Sequence, residues 1–386
     1  MNLTIWGAAQ QVTGSMHLLQ TENYSILIDC GLDYERDTWL EENEQFPFMP
    51  SDIDVVILTH AHIDHSGNLP TLIRFGFEGQ ILCTAPTADL TELLLLDSVN
   101  IFLNKQRKGR RGKRGFSSGP KPLYLQKHVM ETVDRFVTIG FNTPFHINGD
   151  ISLTFIPVGH LLGAAAAVLT IREHGIEKTI AFSGDIGRKN YPVLKDPESL
   201  PPVDYLVCES TYGGRRHQDT KSIEEVLTET VDEACIKNPG RLIIPAFSVG
   251  RTQALVYSLN RIFSKGLLPR VKVFVDSPLA TYATDIFRKH HELVNQEAQD
   301  FYRSRGDEFE FENLDYIQDM NASKAISNYY EPCIIISSAG MLEGGRIQDH
   351  LYYNISNYYC TILFIGYCAK GTLGHRLLRG DPIVNI

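Results

Sequence analysis

Short apolar runs that end on glycine, histidine or aspartate set the rhythm of this chain. Ser25-Ile26-Leu27-Ile28, Val55-Val56-Ile57-Leu58 and residues 151–157, 166–171 and 178–183 read as strands. From residue 3 to residue 60, strands alternate with turns. The apolar-periodic stretch 87–105 predicts a helix, and 125–136 predicts another. Pro201-Pro202 is a natural connector, followed by a strand at 205–208. Beyond it the pattern changes. Continuous apolar runs at 242–245, 271–275, 333–337 and 361–365 are separated by helix-length segments such as 222–236 and 252–263. That alternation implies a parallel sheet covered on both faces, whose ligands bind outside the strand C-termini.

Length and composition sharpen this outline. A chain of 386 residues exceeds one ordinary core, so two domains are expected, 1–208 and 209–386. With 43% hydrophobic and 21% charged residues it has the makeup of a folded protein. It contains no run of eighteen apolar residues and no signal-like N-terminus, so no membrane partner is expected. Its seven cysteines are an odd number for a disulfide framework, which predicts free thiols and a reducing, cytoplasmic compartment. The net charge of −10 argues against indiscriminate nucleic-acid binding. Yet no acidic residue falls between 98 and 130, where Lys105, Arg107, Lys108, Arg110 and Arg111 begin a basic run. Glycines at 109, 112, 115 and 119 predict a solvated loop rather than a firm helix there. Such a loop is either simply solvated or an electrostatic arm for a polyanion.

The candidate chemistry lies at strand ends. Thr59-His60-Ala61-His62-Ile63-Asp64-His65 follows the run 55–58 directly. Histidines at i and i+2 suit a turn leaving a strand rather than one face of a helix. Imidazole and carboxylate are ligands that zinc accepts, and this many so close together can hold two metals. His160 ends the run 153–159 and Asp185 ends 179–184. Alone, each reads as a structural cap; with the His60–His65 cluster they read as further ligands. Asp29, at the end of the strand 25–28, can orient a ligating histidine through its other ring nitrogen. At the strand ends of the second half stand Ser248, Arg251, Ser277 and Ser338, with Arg346 further along. Small residues there permit a phosphodiester backbone to approach amide N–H groups, or serve only the geometry of βα turns.

His60-Ala61-His62-Ile63-Asp64-His65 resembles the HxHxDH motif of the metallo-β-lactamase fold. Asp29, His160 and Asp185 fall where that superfamily places its other motifs. Cys208-Glu209-Ser210-Thr211-Tyr212-Gly213 resembles motif A of the β-CASP nucleases. Residues 7–15, 245–254 and 366–373 are also similar to β-CASP ribonucleases, so the likeness runs over nearly the whole chain. The resemblance implies an α/β/β/α sandwich with an inserted β-CASP domain built on a parallel sheet. It implies two zinc ions, His60, His62 and His160 holding the first, Asp64 and His65 the second, and Asp185 bridging. A hydroxide shared by the metals would attack phosphorus. Asp64, Asp29 and Glu209 are the implied catalytic residues, Glu209 handling a proton. RNA, in single strands, is the implied substrate and partner, contacted by Lys105, Arg107, Lys108, Arg110, Arg111, Ser248, Arg251, Ser338 and Arg346. A homodimer is among the allowed assemblies.

The sequence departs from that family in one respect. Neither the motif B histidine nor the Val-His-Gly histidine of motif C occurs. His350 and His375 are the late histidines, in surroundings that match neither. The expectation is a truncated or natural short form whose second zinc site is the weaker. The primary expectation is a zinc-dependent ribonuclease. The alternatives are a small-molecule hydrolase of the thioesterase or lactonase type, and an RNA-binding form with impaired catalysis.

Overall fold

The computed structural model describes residues 1–33, 46–112, 122–214 and 221–386, with the side chains of 104–112 left aside. The chain divides into two compact units. One is Met1–Asn190 with Leu194–Arg215; the other is Tyr191–Val193 with Arg216–Ile386.

The first unit holds two sheets. One runs in chain order through β1 (Asn2–Ile5), β2 (His17–Gln20), β3 (Ser25–Ile28), β4 (Val55–Ile57), β5 (Gln80–Cys83) and β6 (Phe136–Thr138). Its first three strands are antiparallel and its last four parallel. The other sheet contains β7 (Phe145–His146), β8 (Ile151–Pro157), β9 (Ala165–Glu173), β10 (Ile176–Phe182) and β11 (Tyr205–Val207), in the order β11-β10-β9-β8-β7. The period-two alternation of side chains explains how they stack. Ile26, Ile28, Val55 and Ile57 meet Leu153, Phe155, Leu169 and Phe182 between the sheets. Leu27 and Val56 point the other way, onto Leu69 and Leu72 of the helix Leu69–Arg74. A strand buried on both faces needs a continuous apolar run, which is what the sequence displays at 55–58.

The helix expected at 87–105 runs from Ala85 to Gly112. The glycines at 109 and 112 do not end it where expected. A glycine costs a helix only about 1 kcal/mol. Upstream, Leu95, Val99 and Phe102 pack on Leu123, Tyr124 and Val129, so the helix is already nucleated when it reaches them. The rest of the basic run, 113–121, and the side chains of Lys105, Arg107, Lys108, Arg110 and Arg111 lie outside the described residues. The second expected helix stops at Val133, and β6 follows it.

The second unit is built on an all-parallel sheet of β12 (Arg241–Pro245), β13 (Lys272–Asp276), β14 (Leu314–Tyr316), β15 (Cys333–Ser337) and β16 (Cys360–Ile362), ordered β14-β13-β15-β12-β16. Leu242, Ile243, Ile244, Val273, Val275 and Ile334–Ile336 are buried, as strands covered on both faces must be. β16 is shorter than the expected run 361–365. Helices Arg251–Ser264 and Pro278–Lys289 start just beyond the C-terminal ends of β12 and β13. Among the described residues, no helix is long and apolar enough to cross a membrane.

Candidate metal centre

The first unit gathers its ligand-type residues where strands end. β4 delivers Thr59 and His60, and the short helix Ile63–Ser66 carries Asp64 and His65. The turn is held by its backbone. Asp64 C=O accepts from the Ser15 N–H at 2.9 Å, and Ser15 C=O from the Gly31 N–H at 2.9 Å. Gly31 fits because it has no side chain: a Cβ there would stand 1.7 Å from the Asp64 carbonyl oxygen.

Beneath this turn lies the buried Asp29, whose backbone takes a left-handed φ of 59°. That conformation is uncommon for a non-glycine residue and easiest for Asp and Asn. Its carboxylate accepts the Thr59 N–H at 2.8 Å and the Thr59 hydroxyl at 2.9 Å. It also lies 2.7 Å from His65 Nδ1. Because the Thr59 hydroxyl donates to Asp29, it accepts from His60 Nδ1, 3.1 Å away. One carboxylate thereby sets two imidazoles, His65 directly and His60 through Thr59. In both, Nδ1 carries a proton and Nε2 faces the site.

His60, His62, His160 and Asp185 each offer an atom to one point, all within 4.8 Å of one another. His160 Nε2 lies 3.0 Å from His62 Nδ1. Asp185 turns its two oxygens different ways. Oδ2 lies 3.4 Å from His160 and 3.8 Å from His60, while Oδ1 lies 3.2 Å from His65. It thus stands between the three other members of the cluster and His65. Asp64 is half-buried, and its charge acts on His62. Its carboxylate is not one of the four converging groups.

The electrostatics suit a cation. Burial, reinforced by the rings of His65, His62 and His160, holds His60 well below the usual imidazole range. Burial and His160 bring His62 down to about 4. Both are neutral at pH 7, the form that binds metal. Burial alone would lower His65 too, but the charge of Asp29 and hydrogen bonds to Asp185 and Asp29 outweigh it and raise it well above 6.5. Burial would raise Asp185, yet the His65 hydrogen bond and the surrounding imidazoles hold it to about 2. The fit of a metal rests on His60 Nε2, which is buried, points into the cluster and has no hydrogen-bond partner among the described residues. An imidazole nitrogen so placed is costly unless a ligand engages it.

Glu209, after β11, borders the same place. It accepts the Thr211 N–H at 2.9 Å and the N–H of Ile186, next to Asp185, at 3.4 Å. Its own N–H donates to Ser183 Oγ at 3.0 Å.

In the second unit the structure brings together some of the expected RNA contacts. Ser248 Oγ and Ser338 Oγ lie 3.1 and 3.3 Å from Ser277 Oγ, so three serines from three strand ends meet. Arg251 is exposed, with its guanidinium over the Tyr191 ring. Arg346 is committed elsewhere: it pairs with the buried Asp276 at 2.7 Å and donates to the carbonyls of Ile317 and Gln318. Asp276 also lies 2.6 Å from His350 Nε2 and accepts from Ser323 at 2.6 Å. The Thr59 relay was not singled out from sequence, and Ser277 was read there as one strand-end residue among several rather than as the hub of the serines. A hydroxyl next to the first ligand histidine was the signal for Thr59.

Comparison with known proteins places this geometry. Residues 10–212 match the model of the metallo-beta-lactamase superfamily, and residues 252–377 match the Beta-Casp domain. A ribonuclease of Thermus thermophilus is 31% identical, the alignment covering 100% of this chain and 84% of that protein. The transcription termination factor FttA of Methanosarcina mazei is 32% identical over 98% of this chain and 58% of its own length. The chain therefore spans a little over half of that factor. The crystal structure of a protein of unknown function from Enterococcus faecalis V583 superposes with a TM-score of 0.50 at 14% identity, covering 94% of this chain and 86% of that one, a likeness of fold alone. Two matching domain models and a relative aligned along the whole chain agree with the strand-end cluster: the chain belongs to the metallo-beta-lactamase superfamily of metal-dependent hydrolases, in its β-CASP ribonuclease family.

Proposed function

We propose that this chain is a zinc-dependent hydrolase of RNA phosphodiester bonds, with residues 1–208 as the metal-binding domain and 209–386 as the β-CASP domain. The observation that carries the reading is the convergence of His60, His62, His160 and Asp185 around the unpartnered His60 Nε2. These four would hold one zinc. Asp64 and His65, with Asp185 shared, would hold a second and weaker one. Zinc, when bound, supplies Lewis acidity toward a phosphoryl oxygen and acidifies a water. The chain's own part is positional. Asp29 and Thr59 fix the tautomers of His65 and His60 before any ligand arrives. Glu209, anchored through backbone N–H groups beside Asp185, is placed to hold a proton for the departing oxygen. The substrate is single-stranded RNA, contacted by Ser248, Arg251, Ser338 and the basic run from Lys105. The compartment is the cytoplasm. Homodimerisation has a candidate surface on the second unit, developed below.

Elemental analysis of protein purified without chelator tests the metal; between one and two zinc per chain is expected. Labelled single-stranded RNA offered beside a β-lactam, a thioester and a lactone tests the substrate. Turnover of a thioester or lactone with inert RNA would sink the reading in favour of a small-molecule hydrolase. RNA binding without cleavage in zinc-loaded protein would favour a binding form.

A further inference from the structure

Among the described residues, one edge of the second unit's sheet is open. β16 pairs with β12 alone, in parallel. The Tyr359 carbonyl and the Leu363 N–H both turn toward β12. Residues 359, 361 and 363 therefore face inward, and 360 and 362 turn their backbone groups outward. Cys360 N–H closes a turn on the Asn357 carbonyl at 3.0 Å. The Cys360 C=O and both backbone groups of Ile362 have no strand partner among the described residues.

Tyrosines crowd the end of this edge. Tyr358 is 94% and Tyr330 92% exposed, with Tyr352, Tyr353 and Tyr359 all above half. They belong to one surface, because Arg241 ties their segments together. Its guanidinium donates to Asn354 Oδ1 at 3.0 Å, to the Ser327 carbonyl at 3.1 Å and to the Tyr329 carbonyl, and its N–H donates to the Tyr359 carbonyl at 2.9 Å. The rings pair as Tyr352–Tyr353 and Tyr358–Tyr359. Residues 351–369 contain no Asp, Glu, Lys, Arg or His, in a chain that is 21% charged.

That composition selects the occupant. A surface for single-stranded nucleic acid joins aromatic platforms to cations that follow the phosphates. Here Arg241 is spent on neutral acceptors, and the neighbouring Lys237 is paired with Asp232 at 2.7 Å. A second copy of this chain fits better. Each copy carries a net charge of −10, so self-association is least opposed where the surface is uncharged. An open edge is self-complementary: two β16 strands running antiparallel about a two-fold axis set the Ile362 N–H of each copy against the Cys360 carbonyl of the other. Exposed tyrosines are the residues that interface cores favour.

We propose that β16 and the tyrosines beside it form an isologous dimer interface. The axis passes at Thr361, so that Cys360 of each copy faces Ile362 of the other. The reading is independent of whether the chain cleaves RNA.

Sedimentation equilibrium of the full chain over the micromolar range tests it. The mass should move from 43.5 kDa toward twice that value as concentration rises. Replacing Tyr358 and Tyr359 together by Glu should raise the dimer dissociation constant at least tenfold with an unchanged circular dichroism spectrum, since both side chains are exposed. Thr361→Cys should give a reducible cross-linked dimer above the background of the unsubstituted chain, because non-hydrogen-bonded cross-strand Cβ atoms lie about 4.5–5.5 Å apart. A monomer at every concentration would overturn the proposal. So would a dimer indifferent to the tyrosine substitutions and without the Thr361→Cys cross-link. A monomeric chain whose affinity for labelled single-stranded RNA falls in the tyrosine variant would overturn it in favour of a base-stacking surface.

Discussion

Thr59→Val isolates the relay from Asp29 to His60. Valine keeps the shape of a residue that is 1% exposed and removes only the hydroxyl. Asp29 keeps two of its partners, the Thr59 position's N–H at 2.8 Å and His65 Nδ1 at 2.7 Å, so His65 should stay oriented. His60 loses the acceptor of its Nδ1 proton, in a place shielded from bulk solvent. Leaving a buried donor unsatisfied costs about 1–3 kcal/mol. At ~1.4 kcal/mol per decade this is roughly one to two decades in metal affinity, charged to the tautomer that offers Nε2. It matches the ~10–100-fold typical of losing a group that orients a metal-ligating histidine. The assay is competition for zinc against a chromophoric chelator at pH 7.5, with circular dichroism to verify the fold. Thr59→Ser, which retains the hydroxyl, should stay close to the parent. Zinc affinity within twofold of the parent in the folded valine variant would refute the relay.

Asp64→Ala should abolish RNA hydrolysis, while Glu209→Gln should keep the zinc content and slow cleavage; zinc lost in the glutamine variant would show that Glu209 helps bind metal instead. Asp276→Asn should destabilise the second unit by about 3–5 kcal/mol in urea, because it leaves Arg346 without its buried partner; a change below ~1 kcal/mol would contradict that role. Burial would raise Asp276, but hydrogen bonds from His350, Ser323 and Arg346 hold its carboxyl below 3.8. Its contribution is thus fully present above the unfolded value and lost as pH falls through the lower folded one, so the Asp276→Asn chain should show less acid sensitivity below pH ~4 in a denaturation series. Neutralising Lys105, Arg107, Lys108, Arg110 and Arg111 should weaken RNA binding and flatten its dependence on salt; an unchanged slope would leave the segment simply solvated.

The strands, and the strand ends where four ligand-type side chains converge, were legible because they rest on local rules. Ile26, Ile28, Val55 and Ile57 alternate or run continuously as their burial demands, and His60, His62, His160 and Asp185 each follow such a run. The helix reaching Gly112 was not legible, because its persistence depends on packing from Leu95 to Phe102 rather than on its own residues. The Thr59 relay and the Ser277 hub depend on atoms brought together from residues up to 61 positions apart, which no local pattern encodes. Arg346 reads in sequence as a cation available to phosphate; only the fold reveals the buried carboxylate that holds it.

Gly31 carries no chemistry, yet it decides where the chemistry stands. The carbonyl of Asp64 occupies the space that any side chain at position 31 would need. A single added methyl group would have to lift the turn bearing Asp64 and His65 away from β3. The side chains of Asp29, Thr59 and His60 would remain in place, no longer aligned with those above them. Inherited damage to this centre can therefore arise at a residue that titrates nothing and coordinates nothing. A survey of natural variants confined to histidines and acids would pass over it. The mutational footprint of the centre is wider than its list of ligands, and its border is drawn by backbone atoms.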